Sequence, residues 1–208
     1  MDTTRRADAR RNQQQLLSVA RDTFVELGAG APLDVVARRA GVGIGTLYRH
    51  FGDREGLLRA VVVDALESSR EAAVAAGEDH EVGFDAVAAY LHAVLDLRVS
   101  AVVPVALHRL DLDDEVIGPV REASYRAVQA LVDRAHRDGS LPQDVAFADL
   151  GTMLVRLSRP LPGRVDAAVD IMLAHRQLEL LLAGVVAADR PALSGRRITR
   201  AELRSFRS

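Results

Sequence analysis

Apolar residues recur along this chain at three- and four-residue spacing, and no stretch shows the strict alternation of a half-buried strand. Leu16, Leu17, Ala20, Phe24 and Leu27 form one stripe and predict a helix over residues 10–27. Gly28 and Gly30 stop it. Pro32 opens the next helix, because a proline in the first turn forfeits no helical hydrogen bond. That second helix, residues 32–40, turns Leu33, Val36 and Ala37 inward and ends at Gly41. A short third helix covers residues 44–50. Gly52 breaks it, and Asp53 caps a fourth that runs to about residue 76 on the repeat Leu57, Leu58, Val61, Val62, Ala65, Leu66.

Beyond a polar, glycine-bounded hinge at residues 77–83 the helical period resumes. It predicts helices over 84–99, after Pro104 to about 109, from Pro119 to about 137, over 143–158 and over 165–188. Residues 189–208, rich in proline and arginine, are expected to be loosely ordered. There is no internal repeat and no low-complexity block. The expected architecture is all-α, with an N-terminal three-helix unit in residues 1–54, a larger helical body in 55–188 and a tail.

Composition narrows the function classes. The 208 residues contain no cysteine, which excludes disulfides, thiolate metal sites and cysteine nucleophiles. No apolar run is long enough for a membrane span and the first fifteen residues are polar, so a cytoplasmic protein with no membrane partner is expected. A net charge of −2 argues against a nucleic-acid ligand until its distribution is considered. Residues 1–54 hold nine arginines against six acidic residues, and the remainder eighteen against twenty-three. A basic head on an acidic body suits a DNA-binding unit joined to a module of another kind.

The stretch AGVGIGTLYRHFGDREGLL, residues 40–58, decides between two readings. As a dinucleotide fingerprint it fails: Thr46 or Tyr48 stands where the third glycine belongs, an amphipathic helix precedes in place of a strand, and the chain has no lysine for a phosphate loop. As a helix-turn-helix it succeeds. Gly41 supplies the turn, Val42 and Leu47 plug the second helix onto the first, and the intervening side chains face outward.

Residues 16–63 resemble the N-terminal domain of the tetracycline-repressor (TetR) family of bacterial regulators. The match is continuous: the leucine pair with Ala20 and Phe24, Ala-Gly-Val at the turn, Thr-Leu-Tyr-x-His-Phe after it, and Glu-x-Leu-Leu in the fourth helix. The resemblance implies a helix-turn-helix DNA-binding domain followed by a helical ligand-binding and dimerisation domain. It places Ile44, Gly45 and Thr46 at bases and Tyr48, His50 and Arg54 at phosphates, with Arg49 an added candidate for base reading. Arg5, Arg6, Arg10 and Arg11 would form an arm along the DNA backbone or a solvated tail. Three departures stand out: no hydroxyl caps the second helix, Asp34 brings a negative charge near the backbone, and Gly43 replaces the usual serine cap.

In the body, Tyr90, His92, Arg98, His108, Tyr125, Phe147 and Met153, with Arg109 and Arg156, are candidates to line a small-molecule pocket between helices. Val165, Val169, Met172, Leu173, Leu180 and Gly184 mark a face for a homodimer, since one short recognition helix reads too few bases to bind tightly alone. No cofactor and no metal are expected, because the chain has no cysteine and His92 and His108 do not form a close pair at helical spacing. The implied activity is that of a one-component regulator, a repressor released from a palindromic double-stranded DNA operator by a small molecule. The alternatives are a helical interaction protein with weakened DNA binding and an all-helical enzyme, the latter lacking any legible triad or carboxylate pair.

Overall fold

Helix α1 (Asp2–Leu27) begins well before the apolar stripe that predicts it. Nothing between residues 2 and 27 is glycine or proline, and Ala, Arg and Gln are good helix formers, so the helix extends back through the polar segment. The computed structural model describes residues 2–106, 109–163, 165–199 and 202, with side chains from residue 12 onward. The side chains of Arg5, Arg6, Arg10 and Arg11 lie outside the described residues.

Helices α2 (Leu33–Arg39) and α3 (Ile44–Phe51) follow, with Gly41 at φ +69° in the turn between them, the conformation that favours glycine there. Asp53 caps α4 (Arg54–Asp79), its carboxylate accepting from the Gly56 N–H at 2.8 Å. Phe24, Val36, Leu47, Leu57 and Leu58 are fully buried where these four helices meet. The same buried cluster continues up α4 through Val61, Ala65 and Ala73 into the body. Arg21 of α1 is buried against α4, 3.6 Å from Asp64. Burial outweighs that arginine and holds the Asp64 carboxyl above its usual range.

The body consists of α5 (Gly83–Asp96), α6 (Val99–Ala106), α7 (Ile117–Arg137), α8 (Phe147–Leu157) and α9 (Ala167–Val185). A single helix over 84–99 is predicted, but the chain bends by 61° between α5 and α6, with Arg98 at φ +49° in the break. Pro104 lies within α6 rather than ahead of a helix. The hydrogen bond it forgoes would have reached Ser100 in the first turn, so one bond is missing and α6 ends soon after. Helix α8 starts four residues later than its apolar pattern suggests. Val145 N–H closes a turn onto Pro142, and Asp149 reaches back to accept from Ala146 N–H at 2.8 Å.

Helix α4 extends three residues into the expected hinge. Arg134 of α7 explains the extension: its guanidinium donates to the carbonyls of Gly77 (2.8 Å), His80 and Glu81, which would otherwise be orphaned at the helix end. The expected loose tail is tied down at its start. Arg190 pairs with Asp144, and Leu193 N–H donates to the same carboxylate at 2.9 Å, which together hold Asp144 down at about 2. Among the described residues no single helix is long and apolar enough to cross a membrane.

Candidate nucleic-acid interface and an internal cavity

Leu47 is fully buried and Val42 packs on the core beside it, so one side of α3 is pinned to the protein. At 100° per residue the opposite side must face out. Ile44 (40% exposed), Gly45, Tyr48 (49% exposed), Arg49 and His50 do so, and Thr46 is half-buried at the edge of the same face. Six of the seven residues proposed for DNA contact thus share one outward surface. The seventh, Arg54, also serves the fold. It donates to the carbonyls of Ala29 (3.4 Å) and Ala31 and so anchors the α1–α2 loop to the start of α4.

The three departures from the family pattern take physical form here. Gly43 caps α3 through its backbone only, in an extended conformation at φ −70° that any residue adopts. Pro32 likewise offers α2 no side-chain cap. Asp34 faces Arg38 at 3.8 Å across one turn, both well solvated, so the acidic charge has a counter-ion on its own helix. Arg39 reaches Glu26 at 2.7 Å and Thr23 at 3.4 Å, bracing α2 against α1.

In the body, α5, α6, α7 and α8 surround a cavity of about 430 Å³, with Ser69 of α4 at its wall. Val87, Leu91, Val103, Leu131, Leu150 and Leu154 give it an apolar lining. Of the pocket candidates, Tyr90 and Phe147 line it. The other described candidates lie off its wall. His92 turns to α9, where its Nδ1 meets Nδ1 of His175 at 2.7 Å, and His175 Nε2 meets Asp96 at 2.6 Å. Burial, then the neighbouring His175, lower the His92 pKa. Arg98 is spent on the α5–α6 break, and Tyr125 donates to Gln129 at 3.0 Å. Met153 packs against the core from its edge, Arg109 and Arg156 are exposed, and His108 lies outside the described residues.

Two wall features were not legible in the sequence. Ser69 is buried, bonds Tyr90 Oη at 3.0 Å and accepts from Ser124 at 3.1 Å. Arg121 lines the cavity and donates to Asp113 at 2.7 Å. A serine on an apolar helix face gives no periodic signal, because it fits a solvated or a back-bonded position equally well.

Helix α9 buries only one edge, through Ala174, Leu178 and Leu182. Its other side carries Val169, Met172 (55% exposed), Leu180 (69% exposed) and Gly184, all open to solvent, with Leu173 half-buried beside them and Val165 exposed just ahead of the helix. These apolar positions recur along the exposed side of α9, interrupted by the exposed Arg176 and Gln177.

The arrangement at α3 has known counterparts. The sequence profile of the bacterial regulatory proteins, tetR family, matches residues 16–61. A helix-turn-helix-type transcriptional regulator of Staphylococcus aureus is 38% identical over 58 residues, which span 27% of this chain and 31% of that protein, so the match covers about a third of the curated relative's length. Two crystal structures resemble nearly the whole chain. The TetR transcription regulatory protein of Mycobacterium vanbaalenii is 29% identical, with a TM-score of 0.60 over 88% of this chain and 99% of that one. A TetR transcriptional regulator of Streptomyces coelicolor is 27% identical, with a TM-score of 0.60 over 84% and 98%. The N-terminal helices thus match the DNA-binding domain of the TetR family of bacterial regulatory proteins, and the helical body resembles that of TetR regulators along most of its length.

Proposed function

We propose that the protein is a one-component transcriptional regulator that binds a palindromic DNA operator as a homodimer and is released from it by a small molecule. The observation that carries this reading is the two-sided character of α3: Leu47 is sealed inside, while Ile44, Gly45, Tyr48, Arg49 and His50 stand out. A helix pinned in this way presents its N-terminal half to a major groove, with Thr46 and Ile44 at base edges, Tyr48 and His50 at the flanking backbone and Arg49 within reach of either. The apolar row on α9 is the surface on which two copies would pair.

The helix α4 supplies the connection between the two ends. Its first turn sets α3, and Ser69 reaches the cavity wall sixteen residues beyond Asp53, about 24 Å along the axis. A ligand in the cavity that favours one tilt of α4 changes the spacing of the paired recognition helices. It acts only through its differential affinity for the two states, a coupling of about 1–3 kcal/mol in such systems.

The α3 assignment is tested by binding to a duplex over a range of salt concentrations. Tyr48→Phe and Arg49→Ala are each expected to weaken binding to all sequences; the salt slope falls by about one unit for Arg49→Ala, which removes a positive charge, and stays unchanged for Tyr48→Phe, which removes a neutral hydroxyl. Thr46→Ala is expected to shift sequence preference by about 1–3 kcal/mol at one base pair, with little change on random DNA. Unaltered affinity and slope in all three variants would remove α3 from the interface.

A further inference from the structure

We propose that the cavity takes an uncharged, largely apolar molecule bearing one hydrogen-bond acceptor, such as a ketone or ether oxygen, held by the Ser69–Tyr90 hydroxyl pair. This rests on the reading of the cavity as the effector site. The size comes first. A volume of about 430 Å³ lies within the range of about 300–1,000 Å³ usual for small-molecule sites.

The charge class follows from the lining. Among the described residues no carboxylate lines the cavity, so a cation would lose its hydration with no partner to replace it. Arg121 is the one charged side chain on the described wall, and Asp113 already meets it at 2.7 Å. That pair offers an anion no unmatched positive charge. An uncharged ligand avoids both costs.

The acceptor follows from counting hydrogens. Ser69, Tyr90 and Ser124 bring three hydroxyl hydrogens and share two hydrogen bonds. Ser124 donates to Ser69, and the second bond joins Ser69 to Tyr90 with either oxygen as donor. If Ser69 donates, the Tyr90 hydrogen is left over; if Tyr90 donates, the Ser69 hydrogen is. Both residues line the cavity and Ser124 does not, so the uncommitted donor belongs to a residue of the cavity wall in either case. Burial pushes the Tyr90 hydroxyl up to about 12, which keeps its proton in place at neutral pH. A donor left unmatched among apolar walls favours a ligand that accepts from it.

The test uses the full chain and four probes of one shape: 4-phenylcyclohexanone, phenylcyclohexane, 4-phenylcyclohexylamine and 4-phenylcyclohexanecarboxylate. Titration is expected to rank the ketone first, about tenfold tighter than the hydrocarbon, as one neutral hydrogen bond allows. The ammonium and carboxylate forms are expected to bind more weakly than the ketone. Either Ser69→Ala or Tyr90→Phe leaves one hydroxyl of the pair on the wall, so each single variant keeps a ketone preference. The double variant Ser69→Ala/Tyr90→Phe is expected to bind ketone and hydrocarbon alike. Because the readout is a ratio, a general change in cavity packing does not mimic it. A charged probe binding best, no ketone binding up to its solubility limit, or a ketone preference that survives in the double variant would overturn the inference. DNA release is measured in parallel. Hydroxyl-dependent ketone binding that leaves the protein–DNA complex intact upholds the cavity chemistry and overturns the ligand-release reading.

Discussion

Replacing Met172 and Leu180 together by glutamate is expected to yield a folded monomer that binds DNA at least about a thousandfold more weakly than the parent. Both side chains are more than half exposed in the single chain, so the changes remove no packing within it. In a pair related by a twofold axis each substitution occurs twice. A well-packed apolar contact is worth about 2 kcal/mol when truncated, and a charge buried without a partner costs more. Sedimentation velocity reads the assembly state, circular dichroism the fold, and titration with a duplex the affinity. A variant that stays dimeric would move the interface away from α9. A monomer that keeps full affinity would remove the need for paired heads.

The second large effect concerns Gly83, the first residue of α5. A Cβ placed there would lie 2.4 Å from Ala135 Cα and 2.6 Å from Ala135 N, both backbone atoms of α7. Neither helix can yield without disturbing the packing that forms the cavity wall. Gly83→Ala is expected to cost about 3 kcal/mol, at the upper end for an overpacked site. Gly77→Ala serves as the control, since its Cβ would meet only the Leu131 side chain at 3.2 Å, and alanine favours a helix over glycine by about 1 kcal/mol. Urea denaturation should place the two variants on opposite sides of the parent midpoint, or Gly77→Ala close to it. Equal midpoints would mean that α5 and α7 do not approach so closely.

The head was legible because its local chemistry and its packing agree. Leu47, the second residue of Thr-Leu-Tyr-x-His-Phe, is the buried residue its spacing requires, and Gly41 adopts the positive φ the turn requires. The helix count of the body was less legible, for identifiable reasons. The break at Arg98 uses a left-handed conformation without glycine, so no residue type announces it. The start of α8 is set by Asp149 reaching backward, a bond that competes with the apolar pattern preceding it. The cavity was the least legible part. His92 carries the chemistry that attracts attention in a sequence, yet it spends it on His175, while Ser69 on an otherwise apolar helix face brings a hydroxyl to the wall beside Tyr90. Arg54 shows a further limit. Its charge and position suggest a phosphate contact, but only the fold reveals its bonds to the α1–α2 loop.

Selection of bound duplexes from a random-sequence pool tests the central claim, that the outward face of α3 reads DNA from two copies at once. The account predicts enrichment of an inverted repeat whose half-sites lie about 34 Å apart or a multiple of that, and its base preference should change with Thr46→Ala. An unenriched pool, or a single asymmetric motif indifferent to Thr46, would contradict it.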